Sequence, residues 1–177
     1  MKMHTALASA PSILTSLLLT TIILGFACSH QSVHHLNKQI WVPGTQEKTL
    51  QMEYLNFAYK AQKDKNNIKL QGKAWPRQES IPDWASWSKD IWLGAYLCDR
   101  KGSVLAQDLK VLPAQNIAQR KGIAFEFSLE PKDMGSPGPV YITFGYRLVL
   151  TPQKNGTPGG DTQEKVFFAS EAALKKF

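Results

Sequence analysis

Few residues in this chain could do chemistry. Its 177 residues include four His and two Cys. His4, His30, His34 and His35 all precede Leu36, so whatever folds after that point lacks an imidazole to act as general base. Histidine-dependent nucleophilic catalysis is excluded there. The His30-x-x-x-His34-His35 group could offer ring nitrogens to Zn²⁺ or Cu²⁺, but a short polar stretch supplies neither a rigid scaffold nor orienting partners, and no metal site is assigned. Paired carboxylates could hydrolyse a glycosidic bond. Yet Asp83, Asp90, Asp99, Asp108 and Asp133 fall mostly in turn-like sequence, where Asp bonds its own backbone. Glu126 reads as an ordinary solvent-facing residue of an alternating strand. No phosphate loop, dinucleotide fingerprint, zinc-protease pattern or CxxC pair occurs. The expectation is a protein without catalytic residues or cofactor.

Tryptophan is the unusual feature. Trp75, Trp84, Trp87 and Trp92 fall within 18 residues, with Arg77, Asp83 and Lys89 beside them. Two readings stand side by side. In one, Trp75, Trp84, Trp87 and Arg77 form a recognition surface, since loop aromatics stack on sugar rings or anchor protein partners. In the other, Trp84 and Trp87 fold back to close one end of the domain while Trp92 plugs the core.

The N-terminus carries an address. Lys2, the apolar run Ile13 to Leu24 and the small-x-small site Gly25-Phe26-Ala27 read as a signal peptide over residues 1–27. The apolar stretch to Ala27 is about 15 residues long, short of the roughly 18 to 20 that span a bilayer. No later segment approaches even that length. The stretch Leu24-Gly25-Phe26-Ala27-Cys28-Ser29 resembles the lipobox of bacterial lipoproteins. That resemblance covers the leader alone, and Gly25 stands where the family usually has Leu. It implies lipidation of Cys28 and anchorage in the cell envelope. In a Gram-negative cell, Ser29 implies the outer membrane, facing the periplasm. Ordinary signal peptidase also accepts Gly25 and Ala27, so a secreted or soluble periplasmic protein is the alternative. Acylation of Cys28 leaves Cys98 without an intrachain disulfide partner. Cys98 ends the apolar run Ile91 to Leu97 and is expected as a small buried hydrophobe.

Without the leader, 20 Lys plus Arg face 14 Asp plus Glu, a formal +6. Lys60, Lys63, Lys65, Lys69 and Lys73 straddle a turn-like Asp64 to Asn67. That is either an exposed hairpin tip or a patch attracted to anionic lipid headgroups or acidic polymers. No RNA-binding or zinc-finger pattern accompanies the charge, and nucleic acid is not expected.

The elements that must position these residues are strands. Residues 28–38 read as a lipidated N-terminus and polar tether, and 39–177 as one domain. Thr49 to Lys60 alternates with a one-residue slip that suggests a bulge near Tyr54. Asn67 to Trp75 alternates with Lys on one face, as an edge strand does. Ile91 to Cys98, apolar on both faces, is expected at the centre of a sheet. Asp99 to Gly102 turns it back through Ser103 to Ala106. Ile123 to Leu129, Val140 to Leu150 and Lys165 to Ala169 supply further strands, and Ser170 to Phe177 a helical turn or fraying end. The total is an all-β, antiparallel β-sandwich of about seven strands, immunoglobulin-like or transthyretin-like, with a small β-barrel as alternative.

Address and architecture together point to an envelope lipoprotein acting as a non-catalytic binding or assembly module for another envelope protein. The alternative is a glycan or peptidoglycan binding module using the Trp-rich loop. Small sandwich lipoproteins that assist secretion or assembly machines, pilotin-like ones among them, are similar in size and layout; the likeness is one of fold and address.

Overall fold

A computed structural model describes residues 30–44, 46–117, 122–131, 138–152 and 165–176. Residues 1–27, read from the sequence as a signal peptide, Cys28 and most of the Pro131 to Pro139 and Thr151 to Thr162 segments lie outside the described residues. Among the described residues there is no helix. The strands are β1 (His30–Ser32), β2 (Gln39–Ile40), β3 (Lys48–Gln51), β4 (Leu55–Asp64), β5 (Asn67–Pro76) and β6 (Trp87–Cys98). They continue with β7 (Val104–Leu112), β8 (Gln115–Asn116), β9 (Ile123–Leu129), β10 (Tyr141–Thr151), β11 (Phe167–Glu171) and β12 (Leu174–Lys176).

Two antiparallel sheets face each other, and neither closes into a barrel. One has the order β3-β4-β5-β9; the other has β11-β10-β6-β7, with β2 beside the start of β10 and β8 beside the start of β6. Seven strands have five residues or more, in line with the number read from periodicity. Alternation dictates which face each strand buries. Phe57 and Tyr59 of β4, Ile68 and Leu70 of β5, and Phe125 and Phe127 of β9 point inward from the first sheet. Ile91, Leu93, Ala95 and Leu97 of β6 meet them from the second, together with Ile142, Phe144, Tyr146 and Leu148 of β10. Phe57 stacks on Phe144 across the sheets at 4.3 Å between centroids and 2° between planes. Phe125 and Phe127 flank the same ring. Burial of each such side chain stabilises the fold by about 1.5–3 kcal/mol. Gly72 makes room for them: a Cβ there would lie 2.1 Å from the Ala58 carbonyl and 2.9 Å from the Phe125 ring.

Three expectations about the strands change. The phase slip near Tyr54 is a chain reversal, with β3 and β4 pairing antiparallel from Lys48↔Tyr59 to Gln51↔Asn56. A slip of one residue looks alike whether the chain bulges or turns, and no Gly, Pro or Asn marks this turn. β5 is interior, between β4 and β9; its lysines line the solvated outer face of a sheet, not an edge. The segment after Ser170 forms the end of β11 and then β12, with no helical turn.

The tether also changes. From His30 the chain is part of the fold: β1 pairs with β12, Ser32 bridges to Ser103, and the Val33 N–H donates to the Gly102 carbonyl at 2.8 Å. Val33 is 0% exposed and Leu36 is buried. The Thr143 hydroxyl donates to the Asn37 carbonyl at 2.6 Å. Two apolar residues in a polar stretch are a weak signal, yet they fill the gap over one end of the second sheet. Beneath them Cys98 is wholly buried, as expected. Its burial pushes the thiol up to about 11. The Tyr96 hydroxyl hydrogen-bonds with the backbone of Ala173. Its ring occupies the slot left by the paired glycines Gly94 and Gly145.

Candidate functional site

The predicted recognition residues occupy separate supports. Trp75 lies on the outer face of the first sheet, opposite Asn56, and is half-buried. Trp84 sits in the β5–β6 connection and packs against the core. Trp87 is the first residue of β6 and pairs with Thr151 and Asn116, so it belongs to a strand instead of a loop. Arg77 is committed to structure. Its guanidinium donates to the Met52 carbonyl at 2.9 Å and pairs with Glu79 at 2.7 Å, while its backbone N–H donates to the Tyr54 carbonyl. These contacts fasten the β3–β4 turn.

Trp92 departs from the core position considered for it. It faces outward from β6 and is 38% exposed. Its indole N–H donates to Asp90 at 2.7 Å, and the Arg147 guanidinium lies 5.9 Å from its ring centre. The register sets apolar residues opposite it on β7 and diagonal to it on β10, with Arg147 directly opposite on β10. Val111 of β7 is directly opposite, Leu109 is opposite Gly94, and Phe168 of β11 is opposite Val149. Phe168 is 65% exposed, Val111 61% and Leu109 53%. Four strands at about 4.8 Å spacing make this stripe roughly 14 Å wide. Trp92 was legible as a tryptophan but not as an outward one, because β6 is apolar on both faces and periodicity cannot choose between them. Leu109 and Val111 lie beyond the Ser103 to Ala106 return that the sequence predicts, on the longer β7.

The outer face of the first sheet is different. It presents Thr49, Gln51, Asn56, Lys60, Gln62, Lys69, Gln71 and Lys73, with Asp64 bound to Lys69 at 2.6 Å. One broad face is polar and the other carries the apolar stripe. The sheets meet at one edge: the Asp108 carboxylate on β7 accepts the Ser128 N–H of β9 at 2.9 Å and pairs with Lys110. Inward charge of this kind protects a sheet edge from pairing with another chain.

At the end of the sandwich near the β3–β4 turn, a part-buried polar cluster joins the sheets. The Tyr146 hydroxyl donates to Glu171 and accepts the Tyr54 N–H at 2.8 Å, while the Glu53 N–H donates to the same carboxylate at 2.9 Å. Burial and the neighbouring carboxylate hold the Tyr146 phenol well above its usual range. These bonds clasp the β3–β4 turn of one sheet to β10 and β11 of the other. Among the described residues, no three His, Cys, Asp or Glu side chains converge as a metal-binding set. The His34 and His35 rings meet edge-on at 5.5 Å, on the folded N-terminal segment.

No known family, characterised protein or solved structure matches the chain.

Proposed function

We propose that this protein is a lipid-anchored envelope component that acts by binding another envelope protein, without catalysis. The observation that carries the reading is the apolar stripe Phe168–Val149–Trp92–Val111–Leu109 on the outer face of the six-stranded sheet. Exposed apolar surface of this extent, centred on a Trp with an Arg over its ring, is the composition of protein contact sites. The lipobox-like Leu24 to Ser29 supports the address. The test places a photo-crosslinking amino acid at Val111 and, separately, at Gln71 on the polar face, in living cells. A discrete adduct from Val111 that disappears with Trp92→Ala supports the reading; equal adducts from both positions, or none from Val111, overturn it.

The glycan alternative is that of the Trp-rich loop; with Trp84 packed on the core and Trp87 in β6, the ring left to carry it is Trp75, half-buried at the end of a polar sheet face. Binding to purified peptidoglycan that is abolished by Trp75→Ala, with Trp92→Ala without effect, would favour it.

A further inference from the structure

We infer that two copies of this chain join edge to edge through β11, antiparallel and centred on Phe168, to make one continuous sheet. The contact uses a sheet edge instead of the stripe's face, and it stands whether or not the stripe binds another protein.

The sheet edges are not alike. β7 and β9 are tied to each other where Asp108 accepts the Ser128 N–H, and Lys110 adds charge there. The 37–40 segment lies along β3: the Asn37 amide donates to the Gln51 carbonyl at 2.9 Å, and the Lys48 ammonium to the Ile40 carbonyl at 3.3 Å. β11 pairs with β10 on one side, and among the described residues no strand pairs with it on the other. Val166 to Ser170 contains no Pro and no charged residue, the devices by which natural edges avoid pairing.

β10 dictates which groups of β11 face outward. β2 and β11 lie on the same side of β10, because β6 takes the other side along its whole length. The Trp41 N–H donates to the Val140 carbonyl at 2.9 Å. Backbone groups point to alternate sides along a strand, so Tyr146, Leu148 and Leu150 turn theirs the same way, toward Glu171, Ala169 and Phe167. Phe168 and Ser170 are then left with N–H and C=O directed away from the sheet. Both residues are exposed.

The sequence of this edge is complementary to itself. Lys165-Val166-Phe167-Phe168-Ala169-Ser170-Glu171 sets apolar and small residues between a cation and an anion. In an antiparallel pair centred on Phe168, Lys165 of each copy stands opposite Glu171 of the other, Val166 opposite Ser170, and Phe168 opposite Phe168. One two-fold axis makes both charge pairs at once, as an isologous contact requires. An in-register parallel pair would instead set like charges side by side, which is destabilising. The Phe168 pair and the Val166–Ser170 pairs are the hydrogen-bonded ones, and the Lys165–Glu171 pairs are of the non-hydrogen-bonded kind that brings side chains closer. On the outer face the two Phe168 rings meet, and the apolar stripes of the two copies become one band from β7 of one to β7 of the other.

The test is the mass of the purified protein in mild detergent, measured by analytical ultracentrifugation over a range of concentrations. The parent should be a reversible dimer. Phe168→Asp puts a charge at the axis, and Lys165→Glu sets Glu against Glu171 at both ends; each should weaken dimerisation roughly tenfold or more. Lys165→Arg and, on the opposite sheet, Lys73→Glu should leave it unchanged. Phe168 and Lys165 are exposed, so the unfolding midpoints of these variants should stay near the parent's. Register is read separately. Val166→Cys protein mixed with Ser170→Cys protein should oxidise to the mixed disulfide faster than either forms its own, since about 5.5 Å between paired Cα atoms is within disulfide reach; the crosslinked peptide identifies it. A parent that stays monomeric at every concentration, a dimer that neither substitution weakens, or a mixed disulfide no faster than the others overturns the inference. The Val111 crosslink succeeds or fails independently of each of these results.

Discussion

Tyr146 and Glu171, on the adjacent strands β10 and β11, share one hydrogen bond that fastens the opposite sheet. The phenol donates to the carboxylate, and both oxygens then accept backbone N–H groups from the β3–β4 turn, at Tyr54 and Glu53. A turn with no Gly, Pro or Asn is thus held from one side by this pair and from the other by Arg77. Tyr146→Phe keeps the ring but leaves the Tyr54 N–H without its acceptor. A loss of about 1–3 kcal/mol is expected, read from urea unfolding as a lower midpoint at unchanged slope.

The tyrosines also set an alkaline limit. Unfolded, Tyr59 gives up its proton near pH 10. Folded, burial pushes its phenol up to about 12, and Tyr146 is also held well above its usual range. Below pH 10 both states are neutral and nothing is gained or lost. Above it the unfolded chain binds fewer protons, so stability falls as pH rises, by roughly 2 kcal/mol from Tyr59 by pH 12. Unfolding midpoints measured from pH 8 to 11.5 should begin to drop near pH 10, and Tyr59→Phe should flatten the decline.

Two tryptophans should part company. Trp84 packs against the core, and Trp84→Ala is expected to cost about 2–4 kcal/mol by cavity formation. Trp92 is an outward residue, and Trp92→Ala should change stability by less than about 1 kcal/mol. Thermal unfolding of the two variants separates them directly, and equal losses would return Trp92 to a structural role.

Gly102 carries a strict requirement. Its φ is +84°, and a Cβ would lie 2.5 Å from the His34 backbone. Gly102→Ala should cost at least about 1–2 kcal/mol from conformation alone. The clash should also lift the 30–38 segment, exposing Cys98 beneath it. Thiol labelling in native buffer is the check: the parent's Cys98 should stay unlabelled and the variant's should react.

Strands of period two were legible because one inward and one outward set define each of them. The alternation Ile123, Phe125, Phe127, Leu129 leaves no second interpretation, and the Asp99 to Gly102 turn was readable from its glycine. What escaped were features fixed by distant partners. The β3–β4 turn is held by Arg77, Tyr146 and Glu171, none of them local in sequence. The N-terminal segment looked like a tether because Val33 and Leu36 show no period, and their burial depends on β12 and on the face of β6. The surface role of Trp92 depends on which side of β6 the N- and C-terminal strands leave uncovered.

The pairing of β1 with β12 orders events in time. His30 and Lys176 are neighbours in space, 146 positions apart in the chain. Loop closure over such a separation is slow and comes late. A chain emerging with its N-terminus first would therefore have both sheets assembled while the cover over Tyr96 and Cys98 still waited for its final strand. The strand Leu174–Lys176 acts as a latch: the N-terminal segment from His30 settles only when that strand arrives to pair with it.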